Sequence, residues 1–229
     1  CSLAPGDLMF IGLGIADKDF ALLVTTDIGA GTEIRATDNG YISSTDSFRD
    51  TEGTLTYTVP SGGLAPGDIL FYRASGTSDF SLLSGTFNVR NGGEQVLIYQ
   101  DCGSLSFING LSIKNPWTDD SETVDLDRES HLPAELATFN LEFNELGNNR
   151  YYDGTTTGGI SELQALINEE SNWKSSGTDL DVVFADGFTI TVPSESPSAM
   201  PTMSSPPTNS PTISPSAPPT VDSSGAPTA

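Results

Sequence analysis

Residues 20–41, FALLVTTDIGAGTEIRATDNGY, constrain the fold more than any other part of the chain. They open with an unbroken apolar run, residues 20–24, and a run that short, closed by turn residues, is typical of a strand buried on both faces. Residues 29–32 then turn the chain, and residues 33–37 alternate between apolar and polar side chains, as in a strand with one wet face. We therefore predict a buried central strand and a hairpin partner that ends at the turn Asp38-Asn39-Gly40.

Several further segments have strand patterns. Residues 54–59, TLTYTV, alternate cleanly, and Asn91-Gly92-Gly93 is a hairpin signal between residues 86–90 and 94–100. We expect other strands at residues 8–11, 68–73 and 105–108, and a last strand region at residues 181–192 with a hairpin about Asp186-Gly187. The predicted fold class is mainly β: an antiparallel β-sandwich with one short helix and an extended Pro/Ser/Thr-rich C-terminal tail.

The predicted helix begins near Ser161. Gln164 follows three residues later, and the pair has the spacing of a capping box. Leu163, Leu166 and Ile167 then share one face, which we expect to pack on the sheets.

The composition changes sharply at Pro193. Residues 193–229 hold ten of the fifteen prolines and no Lys or Arg, so they cannot bury enough apolar surface to form a core. We therefore expect a β-sandwich domain at residues 1–192 and an extended tail at 193–229 that samples polyproline II. Ser and Thr residues among prolines are typical of mucin-like stalks, and the candidates for O-glycosylation are Thr202, Ser204, Ser205, Thr208, Thr212, Ser214 and Thr220.

The net charge of −22, from 31 acidic and nine basic residues, argues against nucleic acid as a partner, because phosphate binding needs a basic surface. No stretch approaches the roughly 20 apolar residues of a membrane span. The sequence begins with Cys1, as expected after removal of a secretory signal. Two cysteines, Cys1 and Cys102, favour one disulfide in an oxidising compartment; the alternative is a lipid-modified Cys1 with Cys102 unpaired.

Motifs across residues 6–175 resemble a family of extracellular β-rich domains of bacteria and algae, grouped with lamin-tail-like and immunoglobulin-like sandwiches. This chain has Gly93-Glu94-Gln95 where the family has Gly-Asp-Gln. The resemblance implies a non-catalytic part of a secreted protein, and the tail is similar to those of secreted diatom proteins and of subunits of extracellular glycoprotein filaments. The matching residues are Gly6-Asp7-Leu8, residues 19–23, Gly31-Thr32 with Ile34, residues 37–41, residues 52–57, residues 93–96, His131-Leu132-Pro133 and Asn172-Trp173.

Candidate catalytic groups are few. The single histidine, His131, has no nucleophile elbow near it, so we interpret it as a structural loop residue. Asp38 and Glu52 are candidates for a two-carboxylate hydrolase, but we favour a turn cap for Asp38 and an ion pair with a base such as Arg49 for Glu52. We therefore expect no enzyme activity and no cofactor.

One acidic loop is a candidate Ca²⁺ site. It lacks the spacing and the glycine of an EF-hand, and we favour a solvated acidic loop. Its acids are Asp119, Asp120, Glu122, Asp125, Asp127 and Glu129.

Two functions fit these features. The first is a structural subunit of a secreted, extracellular filament or matrix, a homo-oligomer linked head to tail by strand addition or tail docking and carrying covalent glycans. The alternative is an adhesion module that binds carbohydrate or a surface through exposed aromatics such as Tyr41, Trp117 or Tyr152. The candidate assembly residues of the first hypothesis are Thr189, Ile190, Val192, Met200, Met203, Ile213 and Val221.

Overall fold

The computed structural model describes residues 1–90, 93–124, 128–144, 149–177 and 179–191. Two helices lie late in the chain, α1 at Ile160–Ile167 and α2 at Leu180–Val183. The strands are β1 Leu8–Gly14, β2 Asp19–Val24, β3 Glu33–Thr37, β4 Tyr41–Ile42, β5 Ser47–Phe48, β6 Thr54–Thr58, β7 Ile69–Tyr72, β8 Ser81–Ser84, β9 Glu94–Asp101, β10 Leu105–Ile113, β11 Asn140–Phe143, β12 Asn149–Tyr152, β13 Thr157–Gly158, β14 Trp173–Ser176 and β15 Thr189–Ile190.

The strands form two larger sheets. One has five strands in the order β14-β12-β1-β2-β7, and the other has six in the order β11-β10-β9-β3-β6-β8. All the pairs in these sheets are antiparallel except β10–β11, and the small pair β13–β15 is also parallel. Buried residues of both sheets belong to one hydrophobic cluster. The prediction of a mainly β, antiparallel fold with a short helix is confirmed, and the arrangement is consistent with a β-sandwich.

Strand β2 is central to the core, as predicted. It lies between β1 and β7, and residues 20–24 are fully buried. On one side the ring of Phe20 meets four other rings, with centroid distances of 5.3 to 6.0 Å. Helical segments cover the same sheet at β1, where a Cβ on Gly12 would lie 2.8 Å from Leu180 Cδ2. Burial on both faces explains why β2 needs an unbroken apolar sequence.

The predicted hairpin between β2 and β3 is wrong, because the two strands belong to different sheets. Strand β2 bonds to β1 and β7, whereas β3 bonds to β6 and β9, so each already has two neighbours. Residues 25–32 form the crossing, and Ile28 anchors it by pairing with Leu64 while burying its side chain. Because Ile28 is buried in the middle of this linker, residues 25–32 do not form a tight hairpin turn.

The predicted strand at residues 86–90 is also wrong. Its backbone N–H groups bond outside any ladder: Thr86 N donates to Glu52 O at 3.3 Å, and Asn88 N donates to the Asp38 carboxylate at 2.7 Å. Strand β9 pairs instead with β3 and with β10, which runs five residues beyond its predicted end. Asn91 and Gly92 of the predicted hairpin lie outside the described residues.

Helix α1 is confirmed, but its predicted capping box is wrong. Gly159 is the N-cap, and Ser161 lies inside the helix with an exposed side chain. The Gln164 side chain instead donates from Nε2 to the carbonyl of Gly6 at 3.0 Å, and so ties the helix to the start of β1. Leu163 and Ile167 are fully buried, as the helical face predicted.

The predicted strand region at residues 181–192 is only partly correct. Helix α2 covers residues 180–183, and β15 is limited to two residues. Because β15 pairs in parallel with β13, there is no hairpin about Asp186-Gly187. The predicted domain boundary at residue 192 and the tail at 193–229 lie outside the described part of the chain.

The predicted disulfide between Cys1 and Cys102 is confirmed. The two Cα atoms are 5.5 Å apart, and the bond joins residues separated by 101 positions. The alternative of a lipid-modified Cys1 is therefore wrong, because its sulfur is bonded to Cys102. Gln100 adds to this anchor, since its Oε1 accepts hydrogen bonds from the N–H groups of Ser2 and Leu3, both at 2.9 Å.

None of the helices among the described residues has the length and the apolar character that a membrane crossing requires.

Replacing both Cys1 and Cys102 with Ser should lower the free energy of unfolding by about 2–4 kcal/mol, because a long loop of the unfolded chain loses its constraint. Urea unfolding, followed by tryptophan fluorescence, measures the change. Wild-type protein treated with a reductant is the matched control and should show the same loss. An unchanged unfolding midpoint in both samples would contradict the anchoring role.

Candidate functional site

Three acidic residues converge at one end of the six-stranded sheet. Strand β3 lies between β9 and β6, so the segments that flank these strands at this end are neighbours. Asp38 follows the last residue of β3, Glu52 lies two residues before β6, and Glu94 is the first residue of β9. The antiparallel register of the three strands brings these positions to the same edge. We call Asp38, Glu52 and Glu94 the carboxylate cluster.

The carboxylate cluster is both tight and buried. One oxygen of each residue lies within 4.8 Å of the corresponding oxygens of the other two. Asp38 and Glu94 are each 1 % exposed, and Glu52 is 5 % exposed. Acidic side chains are seldom buried this deeply unless they are paired with a counter-charge or bind a metal, because each buried charge loses its hydration.

Asp38 joins three segments of chain. Its Oδ1 accepts a hydrogen bond from Gly53 N, and its Oδ2 accepts one from Asn88 N, both at 2.7 Å. We expected Asp38 to cap its own turn, but its side chain binds the backbone of two distant loops instead. The strand does end just before Asp38, as the sequence indicated, but the Asp38 side chain bonds to residues distant in the sequence and not to its own turn.

Asn39 holds the segment that carries Glu52. Its Oδ1 accepts hydrogen bonds from Thr51 N and Glu52 N, at 3.0 and 2.8 Å, and its Nδ2 donates to Gly53 O at 3.1 Å. Gly85 approaches the same segment so closely that a Cβ there would lie 1.7 Å from Glu52 O, and its φ is +65°. Only glycine fits this position, which packs residues 85–88 against the carboxylate cluster.

Arg90 supplies positive charge near the cluster. Its Nη2 lies 3.9 Å from Glu52 Oε1, and its side chain is half exposed. Glu52 was expected to pair with a base such as Arg49, and Arg90 is one base that lies beside it. Arg90 offsets part of the negative charge that the three carboxyl groups would carry when fully ionised.

Burial raises the pKa of Glu94 to about 9, with further contributions from the negative charges of Glu52 and Asp38 and a smaller opposing effect of Arg90. Burial also raises the pKa of Asp38, although the N–H groups of Asn88 and Gly53 act in the opposite direction. The cluster therefore needs positive charge at neutral pH, which either a proton or a bound cation supplies.

Glu94 Oε1 has no hydrogen-bond partner among the residues that the structure describes. The amide oxygen Oδ1 of Asn88 is likewise buried without one, and the backbone of the same residue binds Asp38. Buried polar atoms are normally satisfied, so an unpartnered carboxylate oxygen within an acidic cluster points to a missing partner such as a water or a cation.

Sequence reasoning found Asp38 and Glu52 but missed Glu94 and Arg90. A signal for Glu94 was present, because it is an acid at the start of the apolar run of β9. Its proximity to the other two acids depends on the pairing of β9 with β3, which no local pattern encodes.

His131 has a structural role, as interpreted from the sequence. It is 2 % exposed, its Nδ1 accepts a hydrogen bond from Ser43 N at 3.0 Å, and its Nε2 donates to Glu122 O at 3.0 Å. Both ring nitrogens are therefore used to join loops.

The described acids of the predicted Ca²⁺ loop, Asp119, Asp120, Glu122 and Glu129, do not form a ligand cluster within the described chain. Asp119 instead accepts hydrogen bonds from the backbone and hydroxyl of Ser121, at 2.9 and 2.6 Å. Asp125 and Asp127 of this loop lie outside the described residues.

The aromatic residues proposed for adhesion are not an exposed platform. Tyr41 is 7 % and Tyr152 2 % exposed, and both hydroxyls bond within the fold, to Asp46 and to Thr155. Trp117 is partly buried and packs on the small cluster that contains Tyr41. The expectation that these three rings are exposed is wrong, because each packs in or against a hydrophobic cluster.

Of the predicted assembly residues, Thr189 and Ile190 form β15 and pair with β13 of the same chain. The other assembly residues, Val192, Met200, Met203, Ile213 and Val221, lie outside the described residues, as do all seven predicted O-glycosylation positions.

Sequence reasoning missed a second feature, the edge strand β8. It is the last strand of the six-stranded sheet, and all four of its residues are exposed. Leu82 is 58 % and Leu83 50 % exposed, and they are the two large apolar side chains so exposed in the described part of the chain.

Comparison with protein-family models, with curated proteins and with solved structures gave no match to this chain.

The free energy of unfolding of chelator-treated protein should fall as the pH rises from about 5 to about 8. Between its ordinary pKa of 4.5 and its folded value of about 9, Glu94 binds a proton only in the folded state, so raising the pH favours unfolding. The slope from this group is at most about 1.4 kcal/mol per pH unit, measured by urea unfolding at several pH values.

Glu94→Gln is the matched control, because it keeps the shape of the side chain and removes the titration. It should flatten the slope and make the protein more stable than the wild type at about pH 8. Equal slopes in the two proteins would show that Glu94 does not titrate in this way.

Proposed function

We propose that the chain is a non-enzymatic structural subunit of an extracellular filament or matrix, built as a lamin-tail-like or immunoglobulin-like sandwich with a tail that links copies head to tail. The observation that carries the proposal is the exposed edge strand β8. The disulfide supports secretion, because such bonds persist in oxidising compartments. His131 supports a non-enzymatic role, since the fold uses both of its ring nitrogens.

The edge strand β8 has the features of a strand-addition site. It pairs with β6 on one side, and in the described chain it is the end of the sheet on the other side. Natural edge strands are usually guarded by charges, because unpaired backbone groups beside apolar side chains recruit other strands. Strand β8, with sequence Ser-Leu-Leu-Ser, has no charge. We infer that a strand from another copy covers it.

The occupant that fits best is the tail of a second copy. Thr189 and Ile190 already pair within their own chain, so the strand is drawn from the 38 residues that follow Thr191. An added strand must donate backbone N–H groups, which proline lacks. The longest proline-free run of the tail is residues 220–226, TVDSSGA, which includes Val221 as an apolar anchor.

The length of the tail allows this contact. An extended polyproline chain rises about 3.1 Å per residue, so the roughly 30 residues between Thr191 and Val221 reach about 90 Å. The domain should be about 40 Å across for its length. A tail that docks on the next copy makes a heterologous contact, which does not close and therefore produces a fibre. O-glycans on its Ser and Thr residues would keep the rest of the tail extended and soluble.

Leu82→Lys combined with Leu83→Lys should abolish assembly and leave the monomer folded. Two lysines on the edge resist strand addition, and exposed substitutions usually change stability by less than about 0.5 kcal/mol. Sedimentation velocity of the full chain measures assembly, and circular dichroism checks the fold. Deletion of residues 193–229 should also abolish assembly, because it removes the tail that is proposed to bind β8.

The matched control is Ser61→Lys combined with Ser75→Lys, which adds the same charge at exposed turns away from β8. It should assemble like the wild type. If the β8 variant or the tail deletion assembled as well as this control, the proposed link would be wrong. Loss of assembly in the control as well as in the β8 variant would indicate that the added charge alone prevents assembly.

A further inference from the structure

The carboxylate cluster has the geometry of a hard-cation site, and we propose that Asp38, Glu52 and Glu94 bind one Ca²⁺ ion. The inference is independent of filament formation, because all three residues belong to one copy. It also differs from the acidic loop at residues 119–129, whose described members do not converge.

The separation of the oxygens suits Ca²⁺. Because the three oxygens all lie within 4.8 Å of one another, an ion at their centre would be at most about 2.8 Å from each oxygen, which is close to the Ca²⁺–oxygen distances of about 2.3–2.6 Å. Mg²⁺ requires about 2.0–2.1 Å and a near-ideal octahedron and usually keeps several waters, so a buried set of protein ligands suits it less well. Zn²⁺ prefers nitrogen and sulfur ligands, and the cluster contains neither.

The unsatisfied oxygen of Glu94 is the second observation. Glu94 belongs to the carboxylate cluster and is 99 % buried. Its Oε1 has no hydrogen-bond partner in the described chain. A cation would satisfy this oxygen directly. The amide oxygen of Asn88 is also buried without a hydrogen bond, and the backbone N–H of the same residue binds Asp38.

The charge balance also favours a divalent cation. The three carboxylates would bring three negative charges together, and a divalent cation among them would offset most of that charge. The N–H groups of Gly53 and Asn88 hold Asp38 in place, and Asn39 fixes the backbone of Glu52, so two of the three ligands are preorganised. Preorganised ligands on separate segments would make Ca²⁺ a brace between β3, β6 and β9.

The test uses the full chain after removal of metals with a chelator. Ca²⁺ is titrated in by calorimetry, and thermal unfolding is recorded with and without it. We expect one ion per chain and a rise in Tm of roughly 5–10 °C when Ca²⁺ is at about a hundred times its Kd.

Glu94→Gln and Glu52→Gln should each weaken Ca²⁺ binding at least about tenfold, because each removes one of three ligand charges. The control pair, Asp119→Asn with Asp120→Asn, removes two charges from the rival loop and should leave Ca²⁺ binding unchanged. Glu94→Gln mimics the protonated side chain, so it should fold; its Tm without Ca²⁺ checks this.

Two results would overturn the proposal. If Ca²⁺ binding survived in both Glu→Gln variants and was lost in the loop control, the loop would be the site. If the chelator-treated wild type bound no Ca²⁺ at about 10 mM, the cluster would be held by a proton alone. Neither result depends on assembly, since all three ligands belong to one copy and Ca²⁺ binding is counted per chain.

Discussion

Burial of three carboxyl groups at one end of the six-stranded sheet is the constraint on which the other features depend. The Asp38 carboxylate accepts hydrogen bonds from the backbone of two loops, and Asn39 beside it accepts them from the N–H groups of Thr51 and Glu52. These bonds fix how β3 meets its neighbours and place Gly85 against Glu52. Repulsion among the acids opposes this arrangement, and a proton or a cation among them would relieve it.

The same end of the sheet leads directly into the edge strand. β8 ends at Ser84, and the next residues, Gly85 and Thr86, pack on the segment that carries Glu52. A cation that stiffens the carboxylate cluster would therefore also hold the end of β8 in place. In this account the proposed metal site lies next to the proposed assembly strand. Binding of Ca²⁺ at the cluster would therefore reduce the motion of the end of β8.

Local sequence patterns predicted where strands lie, but they did not predict which strands pair with each other. Unbroken apolar residues at 20–24 identified β2, and alternation identified β6, because burial and pleat act within a few residues. The hairpin from β2 to β3 was wrong because Ile28 anchors a crossing between sheets. Residues 86–90 alternate like a strand, yet their N–H groups bond to Glu52 O and Asp38. Glu94 joins the site through β9–β3 pairing, which short-range patterns do not show.

Electron microscopy of the protein purified from its natural source in Ca²⁺, so that any glycans are kept, tests the central claim most directly. The account predicts regular filaments with an axial repeat near the size of one domain, about 40 Å. Dispersed single particles at the same concentration would contradict a structural subunit and would leave the exposed edge strand without its proposed partner.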